Sequence, residues 1–221
     1  LGVSSDSYYQ HAMVLSVSTT GKPGDITWQS FTPHGPLAYL PLPSVDGVTY
    51  ASLVWYDNPL RLRELMALQP TELIKKIQSE FPAALPKIKN VIAKGTFPLI
   101  KRHAQNYSKK RIVLVGDAAH TINPLAGQGL NLGLQDAKVL VEKLGKAAAS
   151  HADLGDQATL QAYERARRPA NQLMMSAMDA FYYTFSNDLT PVKLFRNLGL
   201  GLADKITPAK RQVMSYALGL K

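Results

Sequence analysis

Apolar and polar positions alternate over much of the first hundred residues. Ala12 to Thr19, Ile26 to Thr32, Leu37 to Leu42 and Val48 to Tyr56 are alternating or β-branched runs, separated by turn-forming clusters such as Gly21-Lys22-Pro23-Gly24 and Asp46-Gly47. Period-two runs bounded by such turns predict a mostly antiparallel sheet. Two helices interrupt it. One opens at Asn58-Pro59, a capping residue followed by proline at the first helical position, and the other spans Thr71 to Phe81 with Leu73, Ile74 and Ile77 on one face. A further strand is predicted near Val91 to Ile100, followed by the polar stretch Lys101 to Lys110.

From Arg111 the pattern changes. Ile112 to Val115 is a continuous apolar run, as expected of a short strand covered on both faces. It stops at Gly116-Asp117, and a Pro/Gly-rich loop, Asn123 to Gly129, leads into a helix opening at about Leu130. The apolar positions of that helix, Leu130, Leu134, Ala137, Val141 and Leu144, form one stripe. After the polar segment Ser150 to Asp156 the chain reads as helical. Pro169 is expected to kink or break the first of these helices, and Thr190-Pro191 and Thr207-Pro208 to start two more. Strands followed by helices make the fold class α+β.

Composition narrows the function classes. With 221 residues, 46% hydrophobic and 19% charged, the chain is long enough for a substantial core and is not low-complexity. Cysteine is absent, which excludes a disulfide scaffold and thiolate chemistry. His11, His34, His103, His120 and His151 have no metal-ligand spacing, so no metal site is expected, and no Gly-x-Ser-x-Gly elbow points to a hydrolase. No apolar run of membrane-spanning length and no signal-peptide layout is found, so a cytoplasmic protein is expected. The net charge is +9, of which +5 falls between Gln161 and Lys221. Such an excess is either a solvated helical surface or a contact for an anionic membrane or acidic partner. Nucleic acid is disfavoured, because the basic residues are scattered and no nucleic-acid module is visible. The band Leu173, Met174, Ala177, Met178, Phe181 and Phe185 reads first as core, and otherwise as a lipid- or partner-facing surface.

The segment Arg111 to Leu144 carries the candidate chemistry. A strand ending in Gly116-Asp117, a loop with Pro124, Gly127 and Gly129, and a helix behind it would aim backbone N–H groups and a positive dipole end at whatever lies over the loop. Read alone, it is either a structural turn with a capped helix or a cradle for an electron-rich ligand, with Asp117 free to accept hydrogen bonds from a polyol. His120 reads as a packing or hydrogen-bonding residue rather than a proton carrier.

Gly116-Asp117-Ala118-Ala119-His120 and Pro124-x-x-Gly127-Gln128-Gly129-x-Asn131 together resemble the second flavin motif of the group A flavoprotein monooxygenases, the para-hydroxybenzoate hydroxylase class. Phe97-Pro98-Leu99, Tyr163-Glu164-Arg165, Phe185-Ser186-Asn187-Asp188 and Tyr216 to Leu220 are similar to the ubiquinone-biosynthesis hydroxylases within it. The resemblance implies a para-hydroxybenzoate-hydroxylase-like fold, in which an antiparallel substrate-domain sheet precedes the last strand, loop and helices of an FAD-binding domain. The Gly-x-Gly-x-x-Gly unit for the FAD pyrophosphate is not found, and neither is the Asp-Gly motif. The chain, which opens on Leu1, is therefore expected to be the C-terminal portion of such an enzyme, its N-terminal part missing, and by itself inactive and poor at retaining FAD. The implied divisions are 1–105, a substrate-binding sheet domain; 106–156, the C-terminal portion of the FAD-binding domain; and 157–221, a helical region.

In residues, the resemblance implies cofactor binding by Asp117 on the ribityl chain and by Pro124, Gly127, Gln128, Gly129, Leu130 and Asn131 around the flavin ring. Substrate binding is expected from Leu37, Tyr39, Leu40, Pro41, Tyr50 and Trp55; no catalytic side chain is assigned. The expected activity is O₂- and NAD(P)H-dependent hydroxylation of a prenylated quinol. From Phe31 to Tyr56 there is no Lys or Arg, which favours a neutral ring over an aromatic carboxylate, unless Lys22, Arg61 or Arg102 reaches the site. A membrane surface or a multi-enzyme ubiquinone-biosynthesis complex is the expected partner, with a peripheral place on the inner face of the membrane. The rival expectations are an FAD monooxygenase of a soluble aromatic, and a non-catalytic fragment serving as an assembly or membrane-docking module.

Overall fold

The computed structural model describes residues 1–185 except Pro23 and Ala126, together with Pro208. The helix starts expected at Thr190-Pro191 and Thr207-Pro208 lie outside the described residues, Pro208 aside. Among the described residues, eight strands and four α-helices follow in the order β1 (Val3–Thr19), β2 (Trp28–Thr32), β3 (Gly35–Val45), β4 (Val48–Asp57), α1 (Pro59–Ala67), α2 (Pro70–Glu80), β5 (Ile88–Ala104), β6 (Ser108–Lys109), β7 (Ile112–Val113), β8 (His120–Thr121), α3 (Gln128–Ala149) and α4 (Gln157–Phe185). The described residues divide into two compact units, one of Ser7–Leu99 and one of Leu1–Asp6 with the described residues from Ile100 onward.

In the Ser7–Leu99 unit the strands lie in the order β2-β3-β4-β1-β5. Antiparallel register sets Met13 opposite Trp55, Leu15 opposite Leu53 and Val17 opposite Ala51, while Leu37 and Tyr39 oppose Trp55 and Leu53 from the other side. Directly opposed residues share a face, so these side chains form one apolar layer. Leu62 and Leu65 of α1 and Leu73 and Ile77 of α2 close over it. The start of α1 follows from chemistry at its end: Asn58 Oδ1 accepts the Arg61 N–H at 2.9 Å. α2 begins one residue earlier than its apolar spacing predicts, at Pro70, with Glu72 accepting the Gln69 N–H.

β1 and β5 are 17 residues each, much longer than their alternating stretches. In β1 the extra length, Val3 to His11, is mostly exposed, so no apolar alternation marks it; β5 absorbs Lys101 to Ala104 from the stretch read as polar connection, with His103 and Ala104 buried. The strand expected over Ile112 to Val115 shrinks to Ile112–Val113, and Ile112 is exposed rather than covered on both faces.

In the other unit, the end of β5 pairs antiparallel with β8 through Arg102 opposite Thr121 and His103 opposite His120. Val113, Leu114 and Val115 pack with Ala104, Tyr107, Ala119 and Tyr163, and Leu132 packs with Ile122, Met174 and Met175. Of the two outcomes expected at Pro169, a break does not occur: α4 runs through it as one helix. The buried side chains of Arg167 and Asn171, on either side of the proline, both hydrogen-bond to Asp136, and these contacts override the local cost. On α3 the periodic stripe faces outward: Leu130, Leu134 and Val141 are 73%, 60% and 68% exposed, while Gln128, Leu132, Asp136 and Ala147 are buried. The apolar band of α4 divides likewise. Met174 is buried and Met178 half-buried, whereas Leu173 and Phe181 are exposed, Phe181 stacking on Phe185 at 5.5 Å.

Candidate functional site

The chain leaves β7, makes a 3₁₀ turn over Gly116–Ala118, forms β8 and crosses a loop into α3. Gly116 and Gly127 both have left-handed φ, +60° and +64°, which only glycine adopts freely. Gly127 is the residue preceding the first turn of α3. It brings no side-chain acceptor, and the first turn holds no acidic residue. The N–H groups of that turn have no intrahelical acceptors, and 22 residues of helix stand behind them with their dipole. A Cβ built on Gly127 or Gly129 would meet nothing within 4 Å, so the backbone here lies open to close approach.

α3 also lies against the 3₁₀ turn, since a Cβ on Gly133 would sit 3.4 Å from the Gly116 Cα. The turn carrying Asp117 and the start of α3 are thus brought together. Asp117, Pro124, Gly127 and Leu130 are exposed, Gly129 and Asn131 half-buried, and Gln128 buried. Within the loop Asn123 is buried, and neither its Oδ1 nor its Nδ2 has a hydrogen-bond partner. A positive, open, glycine-lined backbone beside an exposed carboxylate and an unsatisfied amide suits a ligand that is electron-rich at one end and hydroxylated at the other. FAD fits that description.

Behind this surface is a buried polar network. Asp136 Oδ2 accepts from His120 Nε2 at 2.6 Å and from the Gly116 N–H at 3.2 Å; Oδ1 accepts from Arg167 Nε at 2.6 Å and Asn171 Nδ2 at 3.0 Å. Asn171 also donates to the Tyr107 hydroxyl, which lies 2.9 Å from His103 Nε2. Burial alone would raise the Asp136 pKa, but the hydrogen bonds from His120, Arg167 and Asn171 outweigh it and hold the carboxyl below its ordinary range. Burial lowers the His103 pKa, assisted by the Arg168 charge, and pushes the Tyr107 phenol up to about 12. His120 is the buried hydrogen-bonding residue its sequence context suggested. Asp136, Arg167 and Asn171 were not singled out as site residues, although a carboxylate flanked by Leu132, Val139 and Leu140 was the available signal.

The six candidate substrate residues do not share a face. Leu37, Tyr39 and Trp55, with Pro41 in the same register, lie on the face that α1 and α2 cover, and Tyr39 lines a cavity of about 240 Å³ with Leu53, Ile77, Phe81, Leu85 and Ile88. Leu40 and Tyr50 occupy the opposite, half-exposed face, together with Val54 and Val14. Arg61 is occupied by Asp57 at 3.3 Å and Glu80 at 2.7 Å and sits over the Trp55 ring. Arg167 is buried on Asp136, so it does not belong to the exposed basic surface. Among the described residues no group of side chains could hold a metal ion, and no helix is long and apolar enough to cross a membrane.

Comparison with known proteins agrees with the motif. The chain is 45% identical over 220 residues to 3-demethoxyubiquinol 3-hydroxylase of Escherichia coli, matching 100% of this chain and 55% of that protein. It is 37% identical over 219 residues to ubiquinone hydroxylase UbiL of Rhodospirillum rubrum, matching 99% and 50%. The chain thus spans about half the length of these curated relatives. Among solved structures, PqsL, a probable FAD-dependent monooxygenase from Pseudomonas aeruginosa, superposes with a TM-score of 0.68 at 22% identity over 85% of this chain and 51% of that one. The p-nitrophenol 4-monooxygenase PnpA of Pseudomonas putida gives 0.67 at 18% identity over 99% and 54%. The expected α+β, para-hydroxybenzoate-hydroxylase-like fold is therefore borne out. Residues 9–178 match the FAD binding domain family, and with most of its length inside that match this chain belongs to the family.

Proposed function

We propose that the chain is the C-terminal half of an FAD-dependent monooxygenase that uses O₂ and NAD(P)H to hydroxylate a prenylated benzoquinol in ubiquinone biosynthesis. The observation that carries the reading is the start of α3, which has no side-chain cap, behind left-handed Gly127 and next to the turn bearing Asp117, in a chain 45% identical to a demethoxyubiquinol hydroxylase. Bound FAD supplies the redox and oxygen chemistry. The protein's part is positional and electrostatic. The N–H groups and dipole of α3 favour negative charge on the flavin's pyrimidine edge, with Pro124, Gly127, Gln128, Gly129, Leu130 and Asn131 around it, and Asp117 accepts from the ribityl hydroxyls.

The substrate ring is held by the half-exposed face of the sheet, where Leu40 and Tyr50 lie. Leu37, Tyr39 and Trp55 shape that sheet from its covered side. The lack of Lys and Arg from Phe31 to Tyr56, and the engagement of Arg61 by two carboxylates, suit a neutral quinol better than an aromatic carboxylate. The test is a reconstitution of the full-length protein with FAD, NAD(P)H, O₂ and a short-chain prenylated quinol, with product read by mass. A gain of one oxygen that depends on quinol supports the reading. Binding of FAD with turnover only of soluble phenols or benzoates would replace the substrate, and failure to bind FAD would overturn the reading altogether.

Peripheral membrane contact through the helical C-terminal region is the finer part of this proposal. It is supported by exposed Leu173, Phe181 and Tyr183 on α4 and by the +5 net charge from Gln161 to Lys221.

A further inference from the structure

We propose that Asp136 is a positioning residue for the flavin site, clamping the turn that carries Asp117 at its start and at the strand residue that follows it. The inference rests on the proposed FAD site and extends it to a residue with no access to any ligand, for Asp136 is completely buried.

The geometry is specific. The turn begins at Gly116 and leads, through Ala119, into His120, the first residue of β8, and a single oxygen of Asp136, Oδ2, takes the N–H of Gly116 and Nε2 of His120. An ionised carboxylate only accepts, so the His120 ring donates from Nε2, and its Nδ1 is buried without a partner. The other oxygen is held by Arg167 and Asn171 of α4. Asp136 lies on α3 itself, about two turns beyond the start of the helix at Gln128. One rigid helix thus offers its N-terminus to the proposed flavin and, through one side chain, fixes the turn that presents Asp117. The spacing between those two contact points is thereby tied to the helix rather than left to the Ile122 to Gly127 loop. Close approach of Gly133 to Gly116 holds the same two elements in van der Waals contact.

Asp136→Asn separates the clamp from the anchor. The amide has one acceptor oxygen, and the Arg167 charge claims it. An NH₂ group then faces the Gly116 N–H, two donors that cannot bond, while His120 can change tautomer and accept. The turn loosens at its first residue although the volume is unchanged.

The experiment uses the full-length flavoprotein containing this chain. Asp136→Asn is compared with wild type and with Met175→Ala, a buried truncation in a separate packing cluster, at conditions matched for thermal stability. Amide hydrogen exchange over residues 116–120 and FAD affinity by flavin fluorescence are read for each. The expected result is faster exchange at Gly116 and about tenfold or greater loss of FAD affinity in Asp136→Asn, with neither change in Met175→Ala. Should Asp136→Asn fail to fold, His120→Leu releases the far end of the clamp and is expected to weaken FAD about threefold to tenfold. Unchanged FAD affinity in a folded clamp variant, or equal losses in the Met175 control, overturns the proposal and leaves the FAD site standing. Wild-type protein that binds no FAD removes both.

Discussion

Asp136 Oδ2 and His120 Nε2 lie 2.6 Å apart in a region sealed from solvent, sixteen residues from each other along the chain. The pair joins β8 to α3, and the other carboxylate oxygen joins α3 to α4 through Arg167. Removing the carboxylate strands a buried guanidinium. Asp136→Ala is therefore expected to cost about 3–5 kcal/mol, measured by urea unfolding, whereas exposed Lys138→Ala should change stability by less than about 0.5 kcal/mol.

Acid should act on this unit in two steps. The His103 pKa is lowered by burial, so the unfolded chain takes up a proton that the folded chain resists, and stability begins to fall below about pH 6.5. The Asp136 pKa is also lowered, so its contribution is present above about pH 3.9 and is lost as pH falls through the folded value. Thermal melts between pH 7 and 3 should show both. His103→Gln should flatten the decline between pH 7 and 5 while leaving the lower one; an unchanged upper decline would assign it elsewhere.

Asp117 is exposed at its turn, so replacing it should spare the fold. In the full-length enzyme Asp117→Ala is expected to weaken FAD about ten-fold to more than a hundred-fold through loss of a charge-assisted hydrogen bond. Equilibrium dialysis is the check, and equal affinities would leave the carboxylate with a role in the turn alone.

The 221-residue chain by itself is expected to melt cooperatively and to be essentially colourless after purification with excess FAD. The α3 cradle is present, but no Gly-x-Gly-x-x-Gly unit is there to bind the pyrophosphate. Absorbance at 450 nm decides it: stoichiometric yellow protein would show that the loop suffices.

Membrane contact, if made by the basic C-terminal region, should weaken with salt, because the Debye length contracts from about 10 Å at 0.1 M to about 3 Å at 1 M. Co-sedimentation of the full-length protein with anionic and neutral vesicles should favour the anionic ones at low salt. Neutralising Arg165, Lys210 and Arg211 together should abolish the difference; the last two lie outside the described residues. Arg167 is no part of this test, since its charge is spent on Asp136.

Much of this architecture was legible locally. Alternation in Leu37 to Leu42 and Val48 to Tyr56 marks the strands, Asn58-Pro59 marks a helix start, and the Pro/Gly-rich loop marks the approach to α3, which opens two residues earlier than Leu130. Each depends on residues a few positions apart. What escaped depends on distant partners. Asp136 is completed by Arg167 and Asn171, more than thirty positions away, and the same contacts carry α4 through Pro169. The outward stripe of α3 was not decidable from periodicity, because Leu132, Val139 and Leu140 offer a second apolar face to bury. The candidate substrate residues are apolar side chains on β3 and β4, and strand register, which composition does not reveal, sends Leu40 and Tyr50 one way and Leu37, Tyr39 and Trp55 the other.

The exposed row of Leu130, Leu134 and Val141 has a colloidal consequence. At low ionic strength the net charge of +9 keeps copies of the chain apart, and the row stays in water. Added salt screens that repulsion and, with excluded anions such as sulfate, strengthens burial of apolar surface. Ionic strength would then drive the proposed membrane contact and self-association in opposite directions, so turbidity should rise with salt while any binding to anionic vesicles falls.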